Sequence, residues 1–91
     1  MDDYFIYILK SLKDGRYYIG STATVEASLH YHNSGLQRST KYRIPFVLIY
    51  TENLPSKTLA LQREKQIKAY KGGEAFKRLI WIHTPHLLIQ V

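Results

Sequence analysis

The chain contains no cysteine, which excludes disulfides and thiolate zinc sites. Acidic side chains are scarce, 7 Asp and Glu against 13 Lys and Arg, for a formal net charge of +6. That balance favours polyanionic partners, of which nucleic acid is the commonest, although many basic domains bind none. No apolar run approaches the ~18–20 residues needed to cross a bilayer, so no membrane partner is expected. Low-complexity stretches, internal repeats and linkers are missing too. The acidic start Met1-Asp2-Asp3-Tyr4 runs straight into a strand-like segment, the wrong pattern for a secretory signal. With the lack of cysteine, this points to a cytoplasmic protein. At 91 residues the chain is long enough for one domain and too short for two.

What is abundant is tyrosine, with eight against three phenylalanines and one tryptophan. Tyr4 to Lys10 is apolar on both alternating faces, as expected of a strand in mid-sheet. Asp14-Gly15 marks a turn, and Arg16 to Ser21 reads as the returning strand of a hairpin. Thr22 or Thr24 can cap a helix whose residues Val25, Leu29 and His32 share one face. Asn33-Ser34-Gly35 ends it, and Leu36 to Arg43 is a basic loop. Phe46 to Thr51 forms a third strand after Pro45. Pro55-Ser56 opens the longest helix, which runs to about Lys71 and stops at Gly72-Gly73. Glu74 to Trp81 suits a short third helix. The predicted architecture is α/β, in the order β-β-α-β-α-α, with a three-stranded, mainly antiparallel sheet and three flanking helices. Residues 1–82 form the domain. Residues 83–91 form a tail that packs on it or mediates dimer contacts.

Two tyrosines stand out on geometry. With a four-residue hairpin loop, Tyr7 sits opposite Gly20 and diagonal to Tyr18, on one sheet face. Gly20 leaves room for something to approach the backbone. Both tyrosines also suit a half-buried sheet surface with no further task. On the long helix, Glu64 interrupts the stripe of Ala60, Leu61 and Ile67, where an unpaired charge is expensive unless it holds a cation or hydrogen bonds. A hard cation such as Mg²⁺ can be held by one or two carboxylates with waters and substrate phosphate. The competing reading is a surface pair of Glu64 with Lys68. Ser28 and His32 share the apolar face of the first helix. His32 can carry a proton or contact a phosphate, or it can simply be satisfied in the core.

Phe5-Ile6-Tyr7 and Tyr18-Ile19-Gly20, separated by ten residues, resemble the two halves of the GIY-YIG signature, with Phe5 in place of glycine. The agreement continues through Ser21-Thr22, His32-Asn33-Ser34-Gly35 and the helix from Ala60 to Lys68. It covers roughly residues 3 to 80. The chain looks most like the short stand-alone bacterial proteins of this superfamily, relatives of the N-terminal nuclease domain of the bacterial repair excinuclease. The resemblance implies a small GIY-YIG fold and a metal-dependent endonuclease acting on DNA phosphodiesters, with a role in DNA repair. One Mg²⁺ or Mn²⁺ would be held by Glu64. Tyr7 and Tyr18 would bracket the scissile phosphate, and His32 would assist proton transfer or phosphate positioning. DNA contacts would come from Gly20, Arg38, Lys41, Arg43, Lys65 and Lys68. Neither a zinc finger nor a helix-turn-helix is visible, so DNA would be read by shape or through a partner protein.

Active members of the superfamily place an arginine ten residues beyond the second tyrosine, and here that position is Ser28. Ala27 beside it does not restore the cation. Serine cannot grip a phosphate with a forked pair of donors. Three readings stay open: a natural pseudo-nuclease, an enzyme with a relocated cation (Lys10, Arg16, Arg38, Lys41 or Arg43), and an engineered inactive variant. A non-catalytic nucleic-acid-binding module is the alternative function. A protein-interaction domain that forms a homodimer through Leu87 to Val91 is a third.

Overall fold

A computed structural model describes residues 3–83. Strands β1 (Tyr4–Ser11), β2 (Tyr17–Thr22) and β3 (Phe46–Leu54) and helices α1 (Val25–Asn33), α2 (Lys57–Ala69) and α3 (Glu74–His83) follow the expected order β-β-α-β-α-α. His83, the first residue of the expected tail, instead ends α3; the rest of the tail, with the packing or dimer contacts expected of it, lies outside the described residues.

The sheet has the order β2-β1-β3, with β1 antiparallel to both neighbours. Central placement explains why β1 is apolar on both faces: Ile6, Ile8 and Leu9 are fully buried. Ile6 and Ile8 pack with Ala60, Ile67 and Phe76 beneath α2 and α3. Tyr7 and Leu9 pack with Phe46, Tyr18, Val25 and Leu29 beneath α1. The sheet is therefore covered on both sides, and β2 is left as one edge.

The hairpin loop is four residues long, closed by Ser11 N–H donating to the Arg16 carbonyl at 2.8 Å. That length sets the parity that pairs Tyr7 with Gly20. Buried Ser11 accepts from the backbone N–H of Lys13 and of Asp14, both at 3.1 Å, and so caps the turn from inside. Ser56 opens α2, its hydroxyl accepting from Leu59 N–H at 3.2 Å. At α1 Thr24 holds the cap position without a side-chain bond, while the Thr22 hydroxyl accepts from Thr24 N–H.

Several details differ from expectation, among them α2, which ends at Ala69, and α3, which runs past Trp81 to His83. The basic loop contains a 3₁₀ turn, Lys41–Arg43, and β3 runs three residues beyond Thr51, to Leu54. The extension is fastened from outside the strand. Arg63 on α2 grips Glu52 through Nε at 2.8 Å and Nη2 at 3.2 Å, and the Tyr50 hydroxyl donates to Glu52 Oε2 at 2.6 Å. A bulge at Ile8/Leu9 skips Ile49, because Ile8 pairs with Tyr50 and Leu9 with Leu48.

Candidate functional site

The aromatic part of the site lies under α1. The rings of Tyr7 and Tyr18 stack with centroids 6.3 Å apart, and Tyr18 lies 4.6 Å from the His32 ring. The Tyr7 hydroxyl is 3.1 Å from His32 Nε2, and His32 Nδ1 is 3.1 Å from the Thr40 hydroxyl. Thr40 in turn reaches the Gln37 carbonyl at 3.5 Å. One arrangement gives every donor an acceptor: Tyr7 O–H donates to Nε2, Nδ1–H donates to Thr40, and Thr40 donates to Gln37. We assign that tautomer on the completeness of the chain. It leaves the Tyr7 oxygen able to accept a further bond, and Ser28 lies beside it.

Burial, followed by the nearby Tyr18 and Glu64, raises the Tyr7 hydroxyl well above the ordinary tyrosine range, and the Ser28 hydrogen bond works against this. Tyr7 is consequently a neutral donor at physiological pH. Burial lowers His32, so its imidazole is neutral and free to accept. His32 is only 4% exposed, so it acts on the site through Tyr7 and not by direct contact. Its placement is that of a core histidine with both ring nitrogens satisfied, one of them by Tyr7. α1 is held in place by Asn33, whose side chain accepts from Phe46 N–H at 2.7 Å and donates to the Phe46 carbonyl at 3.0 Å.

Gly20 has a different task from the one its spacing suggests. The space above it is filled by Tyr7: a Cβ at position 20 would stand 2.6 Å from the Tyr7 hydroxyl and 2.7 Å from its Cζ. The glycine admits the tyrosine ring to the edge of the sheet, and no open approach to the backbone remains there.

The carboxylate arrives from the other sheet face. Ser21 follows Gly20 and points toward α2, and its hydroxyl donates to Glu64 Oε1 at 2.7 Å. Glu64 Oε2 pairs with Lys68 Nζ at 2.6 Å, and its side chain is 17% exposed. Glu64 thus faces the sheet edge, where Ser21 satisfies one oxygen, and it also makes the expected pair with Lys68. The site straddles the β2 edge at Gly20-Ser21, with Tyr7, Tyr18 and Ser28 above and Glu64 and Lys68 below.

The other basic candidates divide. Arg43 is committed to the hairpin, donating to Asp14 at 3.1 Å and to the Tyr17 carbonyl at 3.2 Å. Lys41 lies 4.9 Å over the exposed Tyr42 ring. Arg38 and Lys65 are exposed. Sequence reasoning missed Ser21 and Thr40 as partners of Glu64 and His32. Ser21 was within reach of it, since strand alternation places Ser21 on the face that Glu64 must meet.

The profile of the GIY-YIG catalytic domain matches residues 3–78. The chain belongs to the GIY-YIG family. A UPF0213 protein of Staphylococcus haemolyticus is 39% identical over 80 residues, covering 87% of this chain and 96% of that one. A UPF0213 protein of Staphylococcus aureus is 42% identical over 71 residues, covering 77% and 85%. The solution NMR structure of a UPF0213 protein from Bacillus halodurans has 32% identity and a TM-score of 0.44, covering 81% of this chain and 90% of that one. This GIY-YIG chain therefore carries a nuclease-type domain of the short UPF0213 kind. Among the described residues no helix is long and apolar enough to cross a membrane.

Proposed function

We propose that this GIY-YIG domain hydrolyses DNA phosphodiesters with a divalent cation, at a rate limited by Ser28. The observation that carries the reading is the convergence at one strand edge of a relayed tyrosine, Tyr7 on neutral His32, and an inward carboxylate, Glu64 on Ser21. A buried tyrosine needs neither a glycine beneath its hydroxyl nor a carboxylate near enough to perturb it.

The donors fit a hard cation. Glu64 and the Ser21 hydroxyl offer oxygen only. Among the described residues no cluster of three or more His, Cys, Asp or Glu surrounds them, so waters and phosphate must supply the remaining ligands, as Mg²⁺ tolerates. Such an ion, when bound, lowers the pKa of water and offsets phosphate charge. Glu64 would hold it by the oxygen that Lys68 now occupies, and Lys68 would turn to the phosphate. The half-buried Tyr18 orients the phosphate with its hydroxyl, while Tyr7, whose own proton is given to His32, accepts from the water. His32 accepts the proton that Tyr7 relays, and Thr40 fixes the imidazole for that role. Ser28 lies beside the Tyr7 hydroxyl, where an arginine would deliver charge to the phosphate. Losing a preorganised donor of this kind costs roughly 10²–10³ in rate.

The test is cleavage of supercoiled, branched and single-stranded DNA with Mg²⁺ or Mn²⁺, comparing the wild type with Glu64→Gln. Metal-dependent nicking that disappears in the variant is expected. Absence of cleavage on all three substrates with either ion overturns the reading.

A further inference from the structure

One turn of α2 beyond Glu64, a cavity of about 330 Å³ opens between the start of β2 and the end of α2. Its floor is apolar, built from Ile19, Ile67 and Phe76, and its rim carries Arg16, Lys68 and Lys71. Tyr17 forms one wall. Its ring stands edge-on to Phe76 at 5.1 Å and keeps 40% of the residue exposed. Lys10 Nζ lies 5.9 Å from the same ring and adds a fourth cation.

This cavity continues the site already described. Tyr17, Ile19 and Ser21 lie on one face of β2 at intervals of about 6.8 Å. The groove therefore begins beside the Ser21–Glu64 contact and ends roughly 13 Å along the strand. That span matches about four nucleotides at the duplex rise of ~3.4 Å per strand, and fewer in an extended strand. Lys68 belongs to both features, lining the cavity with its Nζ 2.6 Å from Glu64. Arg16 and Lys71 make no ion pair among the described residues. Lys71 also sits at φ 51°, a left-handed backbone more costly for lysine than for glycine. A glycine there would suit the turn better, so the turn alone does not account for a cation at this rim.

Apolar floor, aromatic wall and unpaired cations together match a nucleotide strand, whose bases present π faces and whose phosphates need charge. The volume lies at the small end of ligand sites, about 300–1,000 Å³, and seats a base against Tyr17 while the strand's phosphates follow the basic rim. We propose that this groove binds a single-stranded nucleic-acid segment flanking the scissile phosphate. Arg16, Lys68 and Lys71 take its phosphates, and Tyr17 stacks on a base. The direction of the strand rests on the hydrolysis reading, while the binding rests on the groove itself.

Fluorescence anisotropy in EDTA tests it without cleavage, using the full chain with a labelled 12-nucleotide oligo(dT) and a duplex of equal length. The wild type binds the single strand more tightly. The double variant Arg16→Ala/Lys71→Gly lowers the salt slope by about 1.4, at ~0.7 for each phosphate no longer neutralised. Its glycine suits the left-handed turn, so circular dichroism stays unchanged. Tyr17→Ala weakens binding roughly 5- to 150-fold, and Tyr17→Phe retains it. Unchanged affinity and slope in the double variant, or losses seen only in an Arg38→Ala/Lys41→Ala loop variant, overturn the inference. Cleavage is scored separately with Mn²⁺. Groove-dependent binding without cleavage supports the groove and removes the hydrolysis reading alone.

Discussion

Replacing Gly20 by alanine separates a glycine kept for substrate from one kept for Tyr7. The added Cβ would meet the Tyr7 hydroxyl at 2.6 Å, Cζ at 2.7 Å and Cε2 at 3.0 Å, all inside normal contact. Tyr7 has little room to retreat, being 5% exposed and tied to His32 at 3.1 Å. Overpacking of this kind costs about 1–3 kcal/mol. Alanine recovers about 0.5–1 kcal/mol of strand propensity lost with glycine. The net loss is then roughly 0–2.5 kcal/mol, centred near 1. At ~4–8 °C per kcal/mol for a domain of this size, Tm falls by up to roughly 20 °C, and by about 4–8 °C at the centre of that range. Thermal unfolding by circular dichroism measures it, in the wild type and in a Tyr7→Leu background. In Tyr7→Leu the clash is gone, so Gly20→Ala becomes neutral or stabilising there. An equal cost in both backgrounds would refute the account of Gly20 as the seat of the tyrosine ring.

Further predictions concern pH. Burial lowers His32, and a base with a depressed folded pKa stabilises the fold above its unfolded value near 6.5 and loses that contribution as pH falls through the folded one. Urea unfolding between pH 7 and pH 5 should lose stability by at most ~1.4 kcal/mol per unit from this group, and His32→Gln should flatten the slope. Equal slopes would show that His32 is not the buried neutral base. At the other extreme, burial and then the Glu52 hydrogen bond and charge push Tyr50 up to about 12. Its contribution is complete below its unfolded pKa near 10 and fades as pH rises from there towards about 12. Tyr50→Phe should weaken the alkaline loss measured between about pH 9 and pH 11.5; an unchanged profile would assign that loss to other groups.

The parts of the site set by local rules were legible in the sequence. Asp14-Gly15 and the loop length fix strand parity, so Tyr7 opposite Gly20 and diagonal to Tyr18 follows from counting residues. Helix periodicity likewise places Ser28 and His32 toward the tyrosines. Contacts made across long sequence separation were not legible. Arg43 looks like a loop cation, yet its guanidinium is drawn to Asp14, 29 residues away. Thr40 is an ordinary loop threonine until the fold brings it beneath His32. The extension of β3 depends on Arg63 holding Glu52, which no strand propensity encodes. Gly20 shows a third case: its position was read correctly, but what fills the space above it became visible only with the Tyr7 ring in place.

The central claim is that Tyr7, His32 and Glu64 form a hydrolytic site held back by Ser28. The most direct measurement is nicking of supercoiled DNA with Mn²⁺ by Ser28→Arg, beside the wild type and Ser28→Arg/Glu64→Gln. The expected result is a gain of roughly 10²–10³ for the single variant, abolished when Glu64 is also changed. No gain from the arginine, or a gain that survives Glu64→Gln, would contradict it.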